Sequence, residues 1–423
     1  MNETSRRDFL TALGVLSAAG VIPRDALTGA SRDTGAATTV ARRASGTFAA
    51  RGLAAPDDFG LAAGLVYLQT GSLGPSPRQV IERTVARWKE LETDPAAFAY
   101  GAHEQAMEAV RAKAATFIGC STDELVLTRC TTEGMNWVAQ GLSFSAGDRV
   151  LTTDQEHPGG RVCWDYVARR YGVIIDVVVI PPGDNDPQGI VERFARRITP
   201  RTRVLSFSHL LTSTGLRMPV ADLSALARAR GCLSVVDGAQ AVGGIAVNVK
   251  SLGCHVYATS GHKWLLAPKG TGLLYLSDDV GRMIDPIALE SGRAAYTAAT
   301  GVCSLPSVLG LGAAIDYQLA IGTSRIETYD LALRDRLYAA LQRVPRIRVV
   351  SAPPGALTSP LLTYELPATV PAGAFRQRLL EKYRIEVKAV PSNFMNGQRI
   401  STHLFNTEGD VDALVRALST ELS

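Results

Sequence analysis

Between about residues 100 and 275, short apolar runs alternate with stretches in which apolar side chains return every three or four positions. The short runs are 124–128, 149–153, 173–179, 204–208, 233–237, 255–259 and 271–276, and each is four to eight residues long and rich in Val, Leu and Ile. That length and bulk predict buried strands, whereas the amphipathic segments 103–118, 161–171 and 219–230 predict helices between them. A further helical run passes through Met135, Val138, Ala139 and Leu142. Strands alternating with helices predict an α/β fold, a mostly parallel seven-stranded sheet between helices. A helix over 304–320 leads out of it. From about 324 the pattern becomes helix, strands and helix, ending in a helix over 408–422, which predicts a smaller α+β domain. The expected division is therefore a large domain over 56–322 and a small one over 323–423, with no internal repeat.

The first 55 residues differ in kind. Ser5-Arg6-Arg7-Asp8-Phe9-Leu10 is a twin-arginine pattern, followed by an apolar segment to Ile22 that carries no charge between Thr11 and Pro23. Residues 1–30 read as a twin-arginine (Tat) signal with small residues near Thr28-Gly29-Ala30, and 31–55 as a flexible linker. The expectation is export of the folded chain through the Tat machinery, to the periplasm or beyond. Composition narrows the partners: with a net charge of +4 over 423 residues and no Lys/Arg block after residue 50, nothing marks a nucleic-acid binder or a polybasic membrane anchor. No mature stretch is long and apolar enough for stable membrane insertion. Six cysteines show no metal-ligand spacing, so no metal site is expected.

Candidate chemistry gathers at the predicted strand ends. In SGHKW, Lys263 sits between Val256-Tyr257-Ala258 and Trp264-Leu265-Leu266-Ala267. An ammonium in apolar surroundings is costly to desolvate, which lowers its pKa and makes the amine nucleophilic. Such lysines form Schiff bases with carbonyls, the aldehyde of pyridoxal 5'-phosphate (PLP) included. Ser260 and His262 can donate to a phosphate. Asp237 closes the strand 26 residues upstream, where a carboxylate would keep a pyridine nitrogen protonated, and Gln240 lies within reach of a ring oxygen. Thr131 and Thr132 open a predicted helix, and a helix N-terminus carrying hydroxyls is an anion site.

With these residues in place the chain resembles the class V aminotransferase group of fold-type I PLP enzymes, which includes cysteine desulfurases and isopenicillin N epimerase. YLQTGSLGPSP (67–77), RCTTEGMN (129–136), EHPGG (156–160), VVDGAQAVGG, SGHKW and RISTHLFNT (399–407) follow in the family's order. The resemblance implies that His157 stacks on the cofactor ring, that Arg399 holds the substrate α-carboxylate, and that the active site is built at a homodimer interface. It also exposes departures. No cysteine stands in 388–394, where desulfurases carry their sulfur-accepting thiolate, so that chemistry is not expected. Val302 and Thr212 replace a family threonine and asparagine. The expected function is PLP chemistry at the α-carbon of an amino acid, with Lys263, Asp237 and His157 as catalytic residues. Epimerisation or C–S lysis is expected ahead of transamination with a 2-oxo acid, and a non-catalytic PLP sensor is the alternative from another class.

Overall fold

A computed structural model describes residues 52–280 and 283–423; the expected signal and all but the last four residues of the expected linker lie outside them. Seven strands form the main sheet: β2 (Leu125–Thr128), β3 (Arg149–Thr153), β4 (Ile174–Val178), β5 (Thr202–Ser208), β6 (Leu233–Asp237), β7 (Val256–Ser260) and β8 (Gly272–Leu276). Their spatial order is β2-β8-β7-β6-β5-β3-β4. β8 runs antiparallel to both its neighbours, and the remaining pairs are parallel. All seven expected strands are present, with ends shifted by at most two residues.

The sheet is apolar on both faces because both are covered. Leu125, Leu151, Leu205, Val236, Tyr257 and Leu273 pack against α2 (His103–Ile118), α5 (Pro187–Arg197), α6 (Val220–Ala229) and α7 (Leu305–Ile321). One residue along each strand, Val126, Val150, Val204, Val235, Val256 and Leu274 face α3 (Thr131–Gly141) and α4 (Pro158–Tyr171) instead. This two-residue alternation is why the strands read as continuous hydrophobic runs. Left-handed Gly119 and Gly172 stop α2 and α4, the conformation that glycine adopts without strain.

Three of the labelled helices were not evident from the sequence: α1 (Arg78–Leu91), α5 and α9 (Ala372–Tyr383), the last lying inside the region expected to hold strands alone. α1 buries only Val80 among its fourteen residues and leaves the apolar stripe of Ile81, Val85 and Trp88 largely in solvent. α5 buries only Ile190 and Phe194. Its start is nevertheless written in the chain: Pro187 occupies the first turn and Asp186 accepts from Gly189 N at 2.9 Å.

Beyond α7 the chain bends by 75° at Gly322 into α8 (Thr323–Leu341). An antiparallel sheet of order β12-β13-β10-β9 follows, built from β9 (Arg348–Val349), β10 (Leu361–Glu365), β12 (Lys388–Ala389) and β13 (Gly397–Ser401). It packs with α8, α9 (Ala372–Tyr383) and α10 (Glu408–Leu422) around Leu337, Leu362, Phe375, Ile400 and Leu414. Leu68 joins this core, and β1 (Val66–Tyr67) pairs in parallel with β11 (Ile385–Glu386). Residues 66–69 of the N-terminal segment thus pair with the C-terminal part, whereas Val80 of α1 joins the core against the large sheet. Among the described residues no single helix is long and apolar enough to cross a membrane.

Candidate active site

β2, β3, β5, β6 and β7 all end on one edge of the sheet, and the loops leaving that edge carry most of the expected site residues. Asp237 and Ser260 are the last residues of β6 and β7, His157 caps α4 after β3, and Thr131 opens α3 after β2. Carboxyl ends of parallel strands are where open α/β sheets bind ligands.

One corner is built for an anion. Cys130, the N-cap of α3, makes no side-chain capping bond, which leaves the first-turn N–H groups of that helix for other acceptors. Thr131 N donates to Ser260 Oγ at 3.0 Å, and the two hydroxyls lie 2.8 Å apart. Thr132 Oγ1 faces Gly159, where a Cβ would approach it to 2.5 Å. His262 Nδ1 is buried and makes no hydrogen bond, and burial, then the Lys263 charge, lowers the ring to about 4, keeping it neutral. A helix N-terminus, three hydroxyls and an unpartnered buried ring nitrogen suit a phosphate.

Lys263 follows in the turn after β7. It keeps a little exposed surface, yet burial pulls its amine down to about 8, against the opposing pull of Asp237. Asp237 is itself buried, which raises its carboxyl above the ordinary range, while Ala239 N donates to it at 2.9 Å. Gly160 lies so close that a Cβ there would stand 2.4 Å from Asp237 Oδ2. Among the described residues Asp237 has no salt-bridge partner, so a protonated pyridine nitrogen meets an anion in need of a cation. His157 Nδ1 accepts from Gly159 N at 3.0 Å, which places the neutral ring's proton on Nε2. Burial, then Lys263, Lys388 and Arg399, lower this ring to about 4.

The free amine is the nucleophile, so its titration sets the pH dependence of cofactor capture. A lysine lowered to about 8 loses its proton as pH rises through that value rather than through 10.5. Capture of PLP by the apoprotein is expected to accelerate from about pH 6 and level off above about 8, followed by stopped-flow absorbance. A rate still climbing at about pH 10 would mark an ordinary lysine.

Arg399, on β13, closes the other side. It is buried, donates to Thr212 O and Oγ1 at 3.1 and 2.8 Å and to Ser72 Oγ at 3.3 Å, and its Nε makes no hydrogen bond. No carboxylate of the described residues pairs with it, and burial lowers even this guanidinium to about 10. Gln240 is committed to the same corner. Its amide nitrogen donates to Gly71 O at 2.8 Å and Thr212 Oγ1 at 3.4 Å, and its oxygen accepts from Trp264 Nε1 at 2.9 Å. Contact with a ring oxygen therefore requires the longer of these donations to be given up. The segment 69–76 threads between the two halves: Gly71 has Arg399, Gln240 and Ser401 within 2.9 Å of where a Cβ would be, and Gly74 would meet Lys263 O at 1.9 Å.

Two further elements, around Glu156 and His403, escaped the sequence reading, and Thr212, noted there only as a departure from the family, acquires its contacts. Glu156, the residue before His157, accepts from Thr153 and Ser208 hydroxyls, each at 2.6 Å, and burial raises it to about 7. Thr212 links Arg399 to Gln240. The carbonyl of Trp264, next to Lys263, receives His403 Nε2 at 2.8 Å and Gln318 Nε2 at 2.6 Å; Asp330 Oδ2 lies 2.7 Å from the other His403 nitrogen. Glu156 and His403 stood inside the motifs EHPGG and RISTHLFNT, but nothing in either string shows what they touch.

The description Aminotransferase class-V matches residues 66–414. Isopenicillin N epimerase of Amycolatopsis lactamdurans is 33% identical over 382 residues, covering 84% of this chain and 94% of that protein. A cysteine desulfurase of Salmonella typhimurium is 32% identical over 390 residues, covering 84% and 93%. Two structures of the cystine C–S lyase C-DES, one in complex with its product cysteine persulfide and one with glycine covalently linked to its PLP cofactor, superpose with TM-scores of 0.77 and 0.76. Each is 24% identical, covering 84% of this chain and 98% and 97% of theirs. Length of match, fold and the residues at the strand ends agree: the chain belongs to the class V aminotransferase family, whose cofactor is PLP.

Proposed function

We propose that this protein is a PLP enzyme that moves a proton at the α-carbon of an amino acid, as an epimerase or a C–S lyase. The observation that carries the reading is a buried arginine without a counter-ion facing a lysine whose amine is lowered to about 8. Arg399 binds the α-carboxylate through its planar fork. Lys263 takes the proton from Cα and can return it. His157, neutral and protonated on Nε2, stacks and orients. PLP, when bound, supplies an electron sink for the charge left at Cα, and Asp237 holds its ring nitrogen protonated. Thr131, Thr132, Ser260 and His262 anchor its phosphate. Isopenicillin N epimerase and the lyase C-DES among the similar proteins support this pair of reactions. The absence of any cysteine in 388–394 weighs against desulfuration by a chain thiolate.

In deuterium oxide without any oxo acid, an active amino acid is expected to exchange its α-proton over many turnovers. Epimerisation returns the opposite stereoisomer, and β-elimination releases the thiol leaving group together with ammonia and a 2-oxo acid in equal amounts. Stoichiometric conversion of the cofactor to its pyridoxamine form, with turnover restored only by an oxo acid, would show an aminotransferase instead.

Two features of its biology belong to the same proposal. Export by the twin-arginine route rests on Arg6 and Arg7; exchanging both for lysine should leave folded holoenzyme in the cytoplasm, and undiminished export would refute it. A homodimer is supported by apolar side chains left in solvent, Ile287 at 87% and Val302 at 61% exposure. Light scattering that returns an active monomer would refute that.

A further inference from the structure

The cleft holds one more positive side chain than the α-carboxylate of an amino acid accounts for. Lys388 on β12 lies directly opposite Arg399 across the antiparallel pair with β13. Opposed residues of such a pair present their side chains on one face, with Cβ atoms about 5 Å apart. Lys388 is half-buried, and among the described residues it makes no hydrogen bond and no ion pair. The charges acting on it are Arg399 and Arg376, both cations, and with burial they push its amine below the ordinary range. Its own charge reaches Lys263 and His157, so it faces the place where the substrate reacts.

The carboxylates that could neutralise it are engaged elsewhere. Glu386, two residues upstream, is held by Arg376 and by Gln69 Nε2 at 2.6 Å. Glu156 lies behind Ser208 and Thr153, and Asp237 is the floor of the cofactor pocket. Two neighbouring cations without an anion between them repel, and burying such charges unpaired is costly. A ligand that brings negative charge relieves both costs at once. Once Arg399 has taken the α-carboxylate, Lys388 remains.

We propose that Lys388 determines specificity by binding a second anionic group, a carboxylate, sulfonate or phosphate, on the side chain of the amino-acid substrate. This rests on the amino-acid reading given above and narrows it to acidic amino acids.

The test titrates the holoenzyme with matched pairs, L-glutamate against L-glutamine and L-aspartate against L-asparagine, following cofactor absorbance. The acidic member is expected to bind about tenfold or more tightly, the equivalent of about 1.4 kcal/mol for one charge-assisted contact. In Lys388→Gln the ratio within each pair should fall to about one, while Lys388→Arg, which keeps the charge, should preserve it. A wild-type protein without the acidic preference, or a preference that survives Lys388→Gln, overturns the assignment and leaves the amino-acid reading standing. Weaker retention of PLP in Lys388→Gln with an unchanged ratio would give Lys388 to the cofactor and also overturn it. A holoenzyme that responds to no amino acid of any kind would overturn both.

Discussion

Lys263→Ala is expected to lose the covalent link between chain and cofactor and to lower turnover by at least about 10²–10⁴-fold, the range of a positioned proton-transfer group. Borohydride treatment followed by mass analysis should find the reduced cofactor on Lys263 in the parent protein and nowhere in the variant. Lys269 is the control, because burial lowers its amine as well. The two differ in what they touch. Lys269 Nζ donates to Gly74 O at 2.7 Å, on the segment that covers the site, whereas Lys263 is the lysine under the influence of Asp237. Lys269→Ala should therefore keep the adduct. An adduct that persists without Lys263 would end the assignment. Folding should be little affected, because the substitution removes a charge that burial disfavours.

Arg399→Met should produce opposite changes in binding and stability. The guanidinium is buried, lacks an anionic partner and has an unbonded Nε, so replacing it by an apolar side chain of similar length removes a desolvation cost. Thermal stability should hold or rise. Binding of substrate should fall by about 3–4 kcal/mol, the cost of truncating one side of a buried charged pair, or roughly 10²–10³-fold. The loss should appear mainly in KM, because the carboxylate stays bound before and during proton transfer. Arg399→Lys should recover only part of it, since a point charge cannot replace a planar fork. A variant that loses stability while keeping its KM would make Arg399 a structural residue.

The main sheet was legible because its strands, apart from the partly open edge strand β4, are buried on both faces, so hydrophobicity alone marks them. The same burial made Asp237 and Lys263 conspicuous: a charged residue at the end of an apolar run has few structural reasons to be there. α1 does carry Ile81, Val85 and Trp88 at helical spacing, but it leaves all three largely in solvent and buries only Val80, so its pattern marks a helix without marking a core. Other parts of the site depend on register across long separations. Thr212 joins Arg399 across 187 positions, and even the nearer Lys388 meets Arg399 only through the pairing of β12 with β13. His403 and Asp330, 73 positions apart, read singly as an ordinary histidine and an ordinary helical aspartate. Gly74 is intelligible only once Lys263 O is known to lie where its side chain would be.

The threading of residues 69–76 between Arg399 and the Lys263 turn has a consequence for how the protein comes into being. Gly71 and Ser401, which share a hydrogen bond, are 330 positions apart, and Gln69 and Glu386 are 317 apart. Contacts that close loops of this length form late and slowly, because the chain entropy is lost before the contact repays it. A growing chain thus presents the cofactor lysine well before it can present a substrate site, and the two ends must meet to finish it. A single proteolytic cut between Gln69 and Pro75 should leave the large sheet intact and a lysine that still captures cofactor, in a protein that no longer holds amino acids.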